Sequence, residues 1–218
     1  MKRKNKKPWP TKAAMTQIYN QHLWGGNNFD FYSGEGSHLP EIIKPYLDSV
    51  LTFLKSFETP LTVCDLGCGD FNIGKNLVKH TKTYTAIDIV EPLITRNKQI
   101  FKAENLEFYC LDISKEILPK ADCIILRQVL QHITNQEIAH ICKQLKNYKY
   151  LIITEHLPTG NFTPNINIIS GQGIRIKHNS GVDILQDPFN FKAKKQTVLN
   201  NYFLKEGKGK ITTVLLET

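Results

Sequence analysis

Between residues 61 and 155, short apolar runs alternate with stretches of helical periodicity, and this rhythm restricts the folds open to the chain. We interpret five runs as strands: LTVCDL, TYTAID, LEFYCLDI, ADCIILR and YLIITE. Their apolar residues are continuous rather than alternating, as strands covered on both faces require. Alternation of strands with helices predicts a parallel sheet that carries helices on both of its faces.

Helices are predicted over residues 39–57, 72–80, 92–103 and 134–145. The last is the clearest, because Thr134 and Glu137 form a capping box ahead of an apolar stripe at helical spacing. Residues 197–204 and 211–216 flank the turn KEGKGK and predict an antiparallel hairpin that closes the sheet. The predicted fold class is therefore α/β, with a three-layer, Rossmann-like, doubly wound and mostly parallel sheet and a C-terminal antiparallel hairpin.

A length of 218 residues suits one domain with a full hydrophobic core. We predict a basic flexible tail over residues 1–12 and a single domain over residues 13–218. Within that domain we expect an N-terminal lid and helix over residues 13–60 and a cofactor-binding core over residues 61–155. A substrate-cap insert should follow over residues 156–196, and the terminal hairpin over residues 197–218.

The net charge of the chain is +8, but residues 1–12 contain six Lys and Arg residues and no acid, so the remainder carries only +2. Such a tail can dock on nucleic acid or on an anionic membrane surface, or it is a solvated end, which is the interpretation we favour. The five cysteines include no Cys-x-x-Cys pair, so neither a metal site nor a disulfide framework is predicted. No apolar run approaches the roughly 18–20 residues of a membrane span, and no signal-peptide core follows the tail, so we expect a cytoplasmic protein.

The stretch VCDLGCGDFNIG joins the first predicted strand to the next helix, at the sheet edge where open parallel sheets bind ligands. Gly67 and Gly69 permit a tight turn and a close approach of a ligand to the backbone. A dinucleotide site would have a third glycine where Asn72 stands, and the Lys and Ser or Thr of a phosphate-binding loop are absent. Asp65 and Asp70 disfavour a pyrophosphate, and Asp65 suits a ligand with a cationic end, such as the methionine part of S-adenosylmethionine.

Two further acids stand at the ends of the next two predicted strands. Asp88 ends TYTAID, where a carboxylate can accept both ribose hydroxyls of an adenosine. Asp112 lies near the end of LEFYCLDI, where a side chain can reach the adenine amino group. Acids at three consecutive strand ends indicate an adenosine-containing cofactor more strongly than the glycine pair alone.

The segments DLGCGDFNIG, AIDIV, CLDI and RQVLQHI together resemble the class I S-adenosylmethionine-dependent methyltransferases, over roughly residues 61–155. The resemblance implies S-adenosyl-L-methionine as the cofactor. The cofactor-binding residues that it implies are Asp65, Gly67, Cys68 and Gly69 in the loop for the amino-acid end, Asp88 with Ile89 at the ribose, Asp112 with Ile113 at the adenine, and Gln128 at the methionine end. The sequence departs from the family at Asp70 and Phe71, where many members have Gly or Thr.

Methyl transfer to a hydroxyl requires a general base, whereas an amine acceptor needs only to be deprotonated. His132, just past the fourth predicted strand, can accept a proton near neutral pH. Glu155 and His156 end the fifth strand at the same edge of the sheet. These three are the predicted catalytic residues. The residues predicted to contact the substrate are Trp24, Tyr32, His38, Arg127 and Arg175.

The function that we favour from the sequence is methylation of a small molecule or of a sugar or glycan precursor, directed at oxygen. An anionic acceptor would match Arg175, Lys177 and the lysines of residues 192–195. Two alternatives stay open. The first is an RNA or protein methyltransferase that docks through the basic tail, with nucleic acid as the less favoured partner. The second is a non-catalytic module that binds S-adenosylmethionine. The sequence defines neither the acceptor nor the oligomeric state.

Overall fold

The computed structural model describes residues 8–26 and 30–218. Residues 1–7 of the predicted basic tail therefore lie outside the described residues. The helices are α1 (Thr11–Asn20), α2 (Pro40–Leu54), α3 (Glu91–Ile100) and α4 (Asn135–Leu145). The strands are β1 (Thr62–Leu66), β2 (Thr83–Asp88), β3 (Leu106–Cys110), β4 (Cys123–Arg127), β5 (Tyr150–Leu157), β6 (Lys195–Phe203) and β7 (Lys210–Glu217).

The strands form one sheet in the order β3-β2-β1-β4-β5-β7-β6. Neighbours among β1 to β5 pair in parallel, whereas β7 pairs antiparallel with both β5 and β6. The strand order reverses between β1 and β4. The connections that follow these two strands therefore lie on different sides of the sheet, and folds of this kind bind ligands between them, at the carboxyl edge. The predicted mostly parallel sheet with its C-terminal hairpin is confirmed.

Two buried clusters cover the two faces of the sheet, and alternate residues of β1 enter different clusters. Cys64 packs in the cluster that contains the apolar stripe of α4, including Ile138 and Ile141. Val63 packs in the cluster that contains Tyr46 and Val50 of α2. This alternation follows from the two-residue period of a strand and gives the three-layer arrangement that the sequence predicted.

The helix predicted over residues 72–80 is absent, and two short 3-10 turns, Gly74–Asn76 and Val78–His80, take its place. The side-chain amide of Asn76 donates to the carbonyls of Asn72 and Ile73, at 2.9 and 3.1 Å. Those carbonyls would accept the backbone N–H groups of an α-helix, so the side chain competes with the helix for the same acceptors. The backbone N–H groups of Asn76, Leu77, His80 and Thr81 bond three residues back instead.

The N-terminal boundary also differs from the prediction, because α1 begins at Thr11, inside the segment predicted as tail. Pro10 precedes its first turn, and Ala14, Met15, Ile18 and Tyr19 are its buried residues. The capping box of α4 is confirmed, since Thr134 and Glu137 bond each other's backbone N–H groups. Within the described part of the chain, no helix has the length and apolar character that crossing a membrane requires.

Candidate active site

A cavity of about 390 Å³ lies where β1, β2 and β4 end, at the carboxyl edge of the sheet. The residues predicted to bind the cofactor all line it: Asp65, Gly67, Cys68, Gly69, Asp88, Ile89, Asp112, Ile113 and Gln128. Among the predicted catalytic and acceptor residues, those that line it are Trp24, Arg127, His132 and His156. Those outside its lining are Tyr32, His38, Glu155 and Arg175.

The glycine turn has the tight backbone that its sequence predicts. The N–H groups of Gly67 and Cys68 both donate to the carbonyl of Ile87 on β2, at 2.8 Å each. Gly67 has φ +82°, and a Cβ at this position would lie 2.4 Å from Val129. Gly69 has φ +56°, and its Cβ would lie 2.4 Å from Ser33 Oγ. Both positions therefore require glycine, for their backbone conformation and for the close approach of a neighbour.

Asp88 is buried at the end of β2 and already holds two backbone donors. Its Oδ2 accepts the Gly69 N–H at 3.1 Å and its Oδ1 accepts the Val90 N–H at 3.0 Å. Burial raises the pKa of Asp88 to about 6, against the effect of these hydrogen bonds. Each carboxylate oxygen has a second lone pair, so Asp88 can position the turn and still accept hydroxyl groups of a ligand.

Asp65 lies at the end of β1, deeper under the turn. Its Oδ2 accepts a hydrogen bond of 2.8 Å from the hydroxyl of Tyr84. Burial and the negative charge of Asp88 raise the pKa of Asp65 to about 7, while the Tyr84 hydrogen bond and the positive charge of Arg127 act in the opposite direction. Two buried carboxyl groups at the cavity therefore favour a ligand with positive charge, which would stabilise their ionised forms.

Asp112 follows β3 and organises the loop at the far end of the cavity. Its Oδ1 accepts hydrogen bonds from the N–H and hydroxyl of Ser114, and its Oδ2 pairs with Lys115 at 2.6 Å. Burial raises the pKa of Asp112, but the bonds from Lys115 and Ser114 outweigh it and the net shift is downward. The cavity wall at this end also contains Leu111 and Ile113, which are apolar.

Asp70 fastens an N-terminal segment, residues 30–38, over the glycine turn; we call this segment the strap. The Oδ2 of Asp70 accepts the Ser33 N–H and lies 2.6 Å from His38 Nε2, while Ser33 Oγ accepts the Asp70 N–H. Tyr32 stacks on His38 with a centroid distance of 4.2 Å. The argument that Asp70 disfavours a pyrophosphate is corrected, because its side chain serves the strap and does not line the cavity.

The same contacts correct the roles predicted for Tyr32 and His38. We predicted them as residues that contact the substrate, but they hold the strap in place from outside the cavity. The part of the strap that does line the cavity is Ser33, Gly34, Gly36 and Ser37. The strap therefore lines the cavity with its backbone and two serines, whereas the aromatic lining from the region before the strap comes from Tyr19 and Trp24.

Arg127, at the end of β4, holds the other end of the strap. The guanidinium of Arg127 donates to Ser37 Oγ and to the carbonyl of Gly36, and its carbon atom lies 4.8 Å from the centroid of the Tyr46 ring. The Nε of Arg127 and the hydroxyl of Tyr46 are buried and have no hydrogen-bond partner within the described part of the chain, and both residues line the cavity. Buried polar groups are normally paired, so these two atoms point to a polar ligand at this end.

The opposite wall of the cavity contains Trp24 and two histidines. His132 Nδ1 lies 3.1 Å from the carbonyl of Gly171, which can only accept, so Nδ1 carries the proton and Nε2 accepts the amide of Gln131 at 3.2 Å. Burial lowers the pKa of His132 to about 4. The Trp24 ring lies 5.1 Å from that of His132. His132 is therefore neutral at pH 7 and a weak base.

His156 also lines the cavity, and its ring is held by a backbone carbonyl on the terminal hairpin. Its Nε2 lies 2.6 Å from the carbonyl of Lys208, so Nε2 donates and Nδ1 retains the lone pair. Burial lowers the pKa of His156, and the bond to Lys208 opposes that shift. Gln131 connects the two histidines, because its side-chain carbonyl accepts the backbone N–H of His156.

Glu155 and Arg175 lie behind the wall, and the roles predicted for them are corrected. One oxygen of Glu155 accepts the Leu130 N–H at 3.2 Å, and burial raises the pKa of this carboxyl to about 8, so it carries a proton at neutral pH. The guanidinium of Arg175 donates to the carbonyls of Leu130, Ile133 and Ile166, between 2.8 and 3.1 Å. Both side chains hold the wall together and are not exposed to the cavity.

Sequence reasoning missed several cavity residues on other elements: Tyr19, Tyr46, Tyr84, Glu137, Gln172 and Ile174. Glu137 was recognised only as a capping residue, yet its carboxylate also accepts hydrogen bonds from Thr11 of α1 and Ser170 of the insert. Gln172 donates to the carbonyl of Leu23 at 2.6 Å and joins the insert to the N-terminal region. Across residues 8–26 and 30–218, no cluster of His, Cys, Asp and Glu side chains could hold a metal ion.

The strand order, the glycine turn and the acids at the strand ends are those of the class I S-adenosylmethionine-dependent methyltransferases. A family model described as a methyltransferase domain matches residues 58–191, which is more than half of the chain. The chain belongs to this family and is an S-adenosylmethionine-dependent methyltransferase. None of the curated proteins compared with the chain matches it.

Solved structures of methyltransferases share the fold across almost the whole chain. The N-methyltransferase NodS from Bradyrhizobium japonicum WM9, in complex with S-adenosyl-L-homocysteine, is 12% identical with a TM-score of 0.66, over 94% of this chain and 98% of that chain. Magnesium protoporphyrin IX methyltransferase from Synechocystis PCC 6803, with bound S-adenosylmethionine, is 17% identical with a TM-score of 0.59, over 98% and 100%. Human N-acetylserotonin methyltransferase in complex with S-adenosylmethionine is 19% identical with a TM-score of 0.57, over 96% of this chain and 60% of that chain.

Proposed function

We propose that the chain transfers a methyl group from S-adenosylmethionine to a hydroxyl of a small, uncharged acceptor, such as a sugar or glycan precursor or another small molecule. The observation that carries this proposal is the roofed cavity, with buried acids on one side and Trp24, His132 and His156 on the other. Its volume of about 390 Å³, part of which the cofactor would fill, is near the lower end of the range for small-molecule sites, which favours a small acceptor over a macromolecule.

The residues present fit the cofactor from end to end. We propose that Asp65 faces the ammonium group of the methionine part. The carboxylate of the methionine part would accept from Arg127 Nε and Tyr46 Oη, two of the four buried side-chain atoms that have no hydrogen-bond partner among the described residues. Asp88 would accept the ribose hydroxyls, and Asp112 with Ile113 would border the adenine. This reassigns Arg127 from the acceptor to the cofactor.

The proposal of an uncharged acceptor replaces the anionic acceptor that the sequence suggested. Arg127 is the only Lys or Arg among the described residues that line the cavity, and its guanidinium is held by the strap. Arg175 is buried away from the cavity, and Lys177 and the lysines of residues 192–195 do not line it. A phosphate or carboxylate acceptor would therefore meet buried acids without a compensating cation, which is unfavourable.

S-adenosylmethionine supplies a methyl group that is already activated by its sulfonium, so the protein's main task is to exclude water and align the acceptor. Alignment of this kind contributes on the order of 7–11 kcal/mol to lowering a barrier. Residues of α1, the strap and the insert cover the cavity. The hydrogen bond from Gln172 to the carbonyl of Leu23 connects the insert to the N-terminal region.

For removal of the hydroxyl proton we propose His156 rather than His132. The lone pair of His156 is on Nδ1, because Nε2 is fixed by Lys208, whereas the lone pair of His132 is already engaged by Gln131. His156→Asn should lower the turnover number by about 10²–10⁴-fold. His132→Asn, the matched variant on the same wall of the cavity, should lower it by less than about tenfold. Loss of activity in His132→Asn alone would assign the base to His132.

A methyl-transfer screen with radiolabelled S-adenosylmethionine tests the acceptor class. We expect label in a pool of neutral sugars, phenols and other hydroxyl compounds, and little label in pools of phosphorylated headgroups, RNA or proteins. Transfer chiefly to RNA or protein would overturn the small-molecule assignment. Transfer chiefly to phosphorylated compounds would overturn the uncharged acceptor while leaving the cofactor assignment intact.

A further inference from the structure

A second groove, of about 540 Å³, lies between α2 and the two 3-10 turns that follow the glycine turn. None of its lining residues lines the cofactor cavity. The lining residues are Pro40, Ile43, Lys44, Leu47, Asp48, Leu51, Lys55, Lys75, Asn76, Lys79 and His80. Methyl transfer, as derived above, makes no use of them.

The floor of the groove is an apolar stripe along α2. Ile43, Leu47 and Leu51 recur every four residues, so they share one face of the helix, and each is only partly buried. The 3-10 turns of residues 72–80 line the groove beside this stripe and leave its residues partly exposed. An amphipathic helix of another protein could cover such a stripe with its own apolar face.

The rim of the groove is positively charged. Lys55 and Lys79 are exposed and have no acidic partner among the described residues, and both lower the pKa of His80, after the effect of burial. Lys44 pairs with Asp48 at 2.7 Å, and Lys75 donates to Asn72. Asp48 is the only acid in the lining, so the charge that complements this rim is negative.

We propose that the groove docks an acidic amphipathic helix of a partner protein. The apolar stripe of α2 would pack against apolar residues that recur every three or four positions in the partner, while its carboxylates would pair with Lys55 and Lys79. A single-stranded nucleic acid fits less well, because the lining contains no Phe, Tyr or Trp on which bases could stack. A flat anionic membrane fits less well too, because the apolar residues form the floor of a groove rather than its rim.

A fluorescence-anisotropy titration with the full chain tests this proposal. The probe is a labelled synthetic helix of about 18 residues, with Leu along one face and Glu on the others, and its control is a peptide of the same composition with the Leu stripe scrambled. The test variant is Lys55→Glu/Lys79→Glu, and the matched control is Lys98→Glu/Lys102→Glu, two exposed lysines outside the groove. Affinity for S-adenosylmethionine and the melting temperature should be unchanged in both variants.

We expect saturable binding of the striped peptide, weakened by roughly tenfold in Lys55→Glu/Lys79→Glu and by less than about twofold in the control variant. The scrambled peptide should bind at least about tenfold more weakly. Absence of saturable binding up to about 1 mM, or equal losses in the two variants, would overturn the proposal. Tighter binding of oligouridine or of phosphatidylglycerol vesicles, with the same dependence on Lys55 and Lys79, would also overturn it and assign the surface to that partner.

Discussion

The floor and the roof of the cavity are built by different interactions. The floor consists of strand ends, where the register of parallel strands places Asp65 and Asp88 beside the glycine turn and backbone hydrogen bonds fix their separation. The roof consists of the strap, α1 and the insert, and is joined by side chains that reach across long stretches of sequence, such as Glu137 to Thr11 and Gln172 to Leu23. The floor supplies the charge that a cationic cofactor needs, and the roof supplies enclosure. Substitutions in the floor should therefore change ligand affinity, whereas substitutions in the roof should change stability and ligand exchange.

The largest expected effect is in the roof, from Arg175→Met. Its guanidinium is buried and donates to the carbonyls of Leu130, Ile133 and Ile166 and to Asn135 Oδ1. The Leu130 carbonyl would keep the Ile133 N–H as a donor, whereas the other three acceptors would lose the bond from Arg175. At about 1 kcal/mol or more for each buried unpaired group, we expect the free energy of unfolding to fall by about 3 kcal/mol or more. In a domain of this size, this corresponds to a decrease in melting temperature of roughly 6–12 °C.

The matched control is Lys177→Met, an exposed residue in the same 3-10 turn, which should melt within about 1 °C of the parent. If Arg175→Met had the melting temperature of the parent but a raised KM for the acceptor, Arg175 would belong to the substrate site. That result would contradict the division between roof and floor.

In the floor, Asp88→Asn should weaken the binding of S-adenosylmethionine by about 10–100-fold, as expected for loss of one charged hydrogen bond of about 1.5–3 kcal/mol. Calorimetry on the folded variant measures this. Asp122→Asn is the matched control, because Asp122 also accepts a backbone N–H, from Thr62, but is exposed at the start of β4 and does not line the cavity. Equal affinities for the parent and Asp88→Asn would show that Asp88 only positions the glycine turn.

The floor should also make cofactor affinity depend on pH. In the ligand-free protein the pKa values of Asp65 and Asp88 are raised to about 7 and about 6, and a cationic ligand favours both groups ionised. Affinity for S-adenosylmethionine should thus fall by roughly 10–100-fold from pH 8 to pH 5.5, as protons compete with the ligand.

The same shifts act on stability with a defined sign. The native state binds more protons than the unfolded chain between the ordinary carboxyl pKa of 3.8 and about 7, so these two groups lower the free energy of unfolding as the pH rises through that window.

Calorimetric titrations with S-adenosylmethionine at pH 5.5, 7 and 8 test the expected pH dependence of cofactor affinity. Equal affinities at the three pH values would mean that neither buried acid faces the cationic end of the ligand.

The smallest effect is expected in the roof, from Glu137→Gln. The carboxylate of Glu137 accepts from Thr11, Ser170 and Thr134, and a neutral amide retains only part of these bonds. We expect a decrease of about 1–2 kcal/mol in the free energy of unfolding and faster dissociation of bound S-adenosylhomocysteine, measured by stopped-flow displacement. Glu91→Gln, in the exposed first turn of α3, should change neither quantity.

The sequence was sufficient to predict the floor, because strand ends and glycine turns are local patterns that a parallel sheet brings to one edge. It was insufficient for the roof, where contacts join Thr11 with Glu137 and Arg175 with three distant carbonyls. It also grouped Glu155 with His156, although adjacent residues of a strand point to opposite faces and only His156 lines the cavity. At residues 72–80 the apolar pattern predicted a helix that is absent, and the side chain of Asn76 occupies two of the carbonyls that such a helix would use.

The central claim is that the floor recognises a cationic adenosine cofactor rather than a dinucleotide. Isothermal titration of the full chain with S-adenosylmethionine, S-adenosylhomocysteine and NAD tests it directly. We expect saturable binding of the first two ligands and no measurable binding of NAD, because Asn72 stands where a dinucleotide site has its third glycine and the buried Asp65 lies under the turn that would face a pyrophosphate. Binding of NAD more tightly than S-adenosylmethionine would contradict the claim.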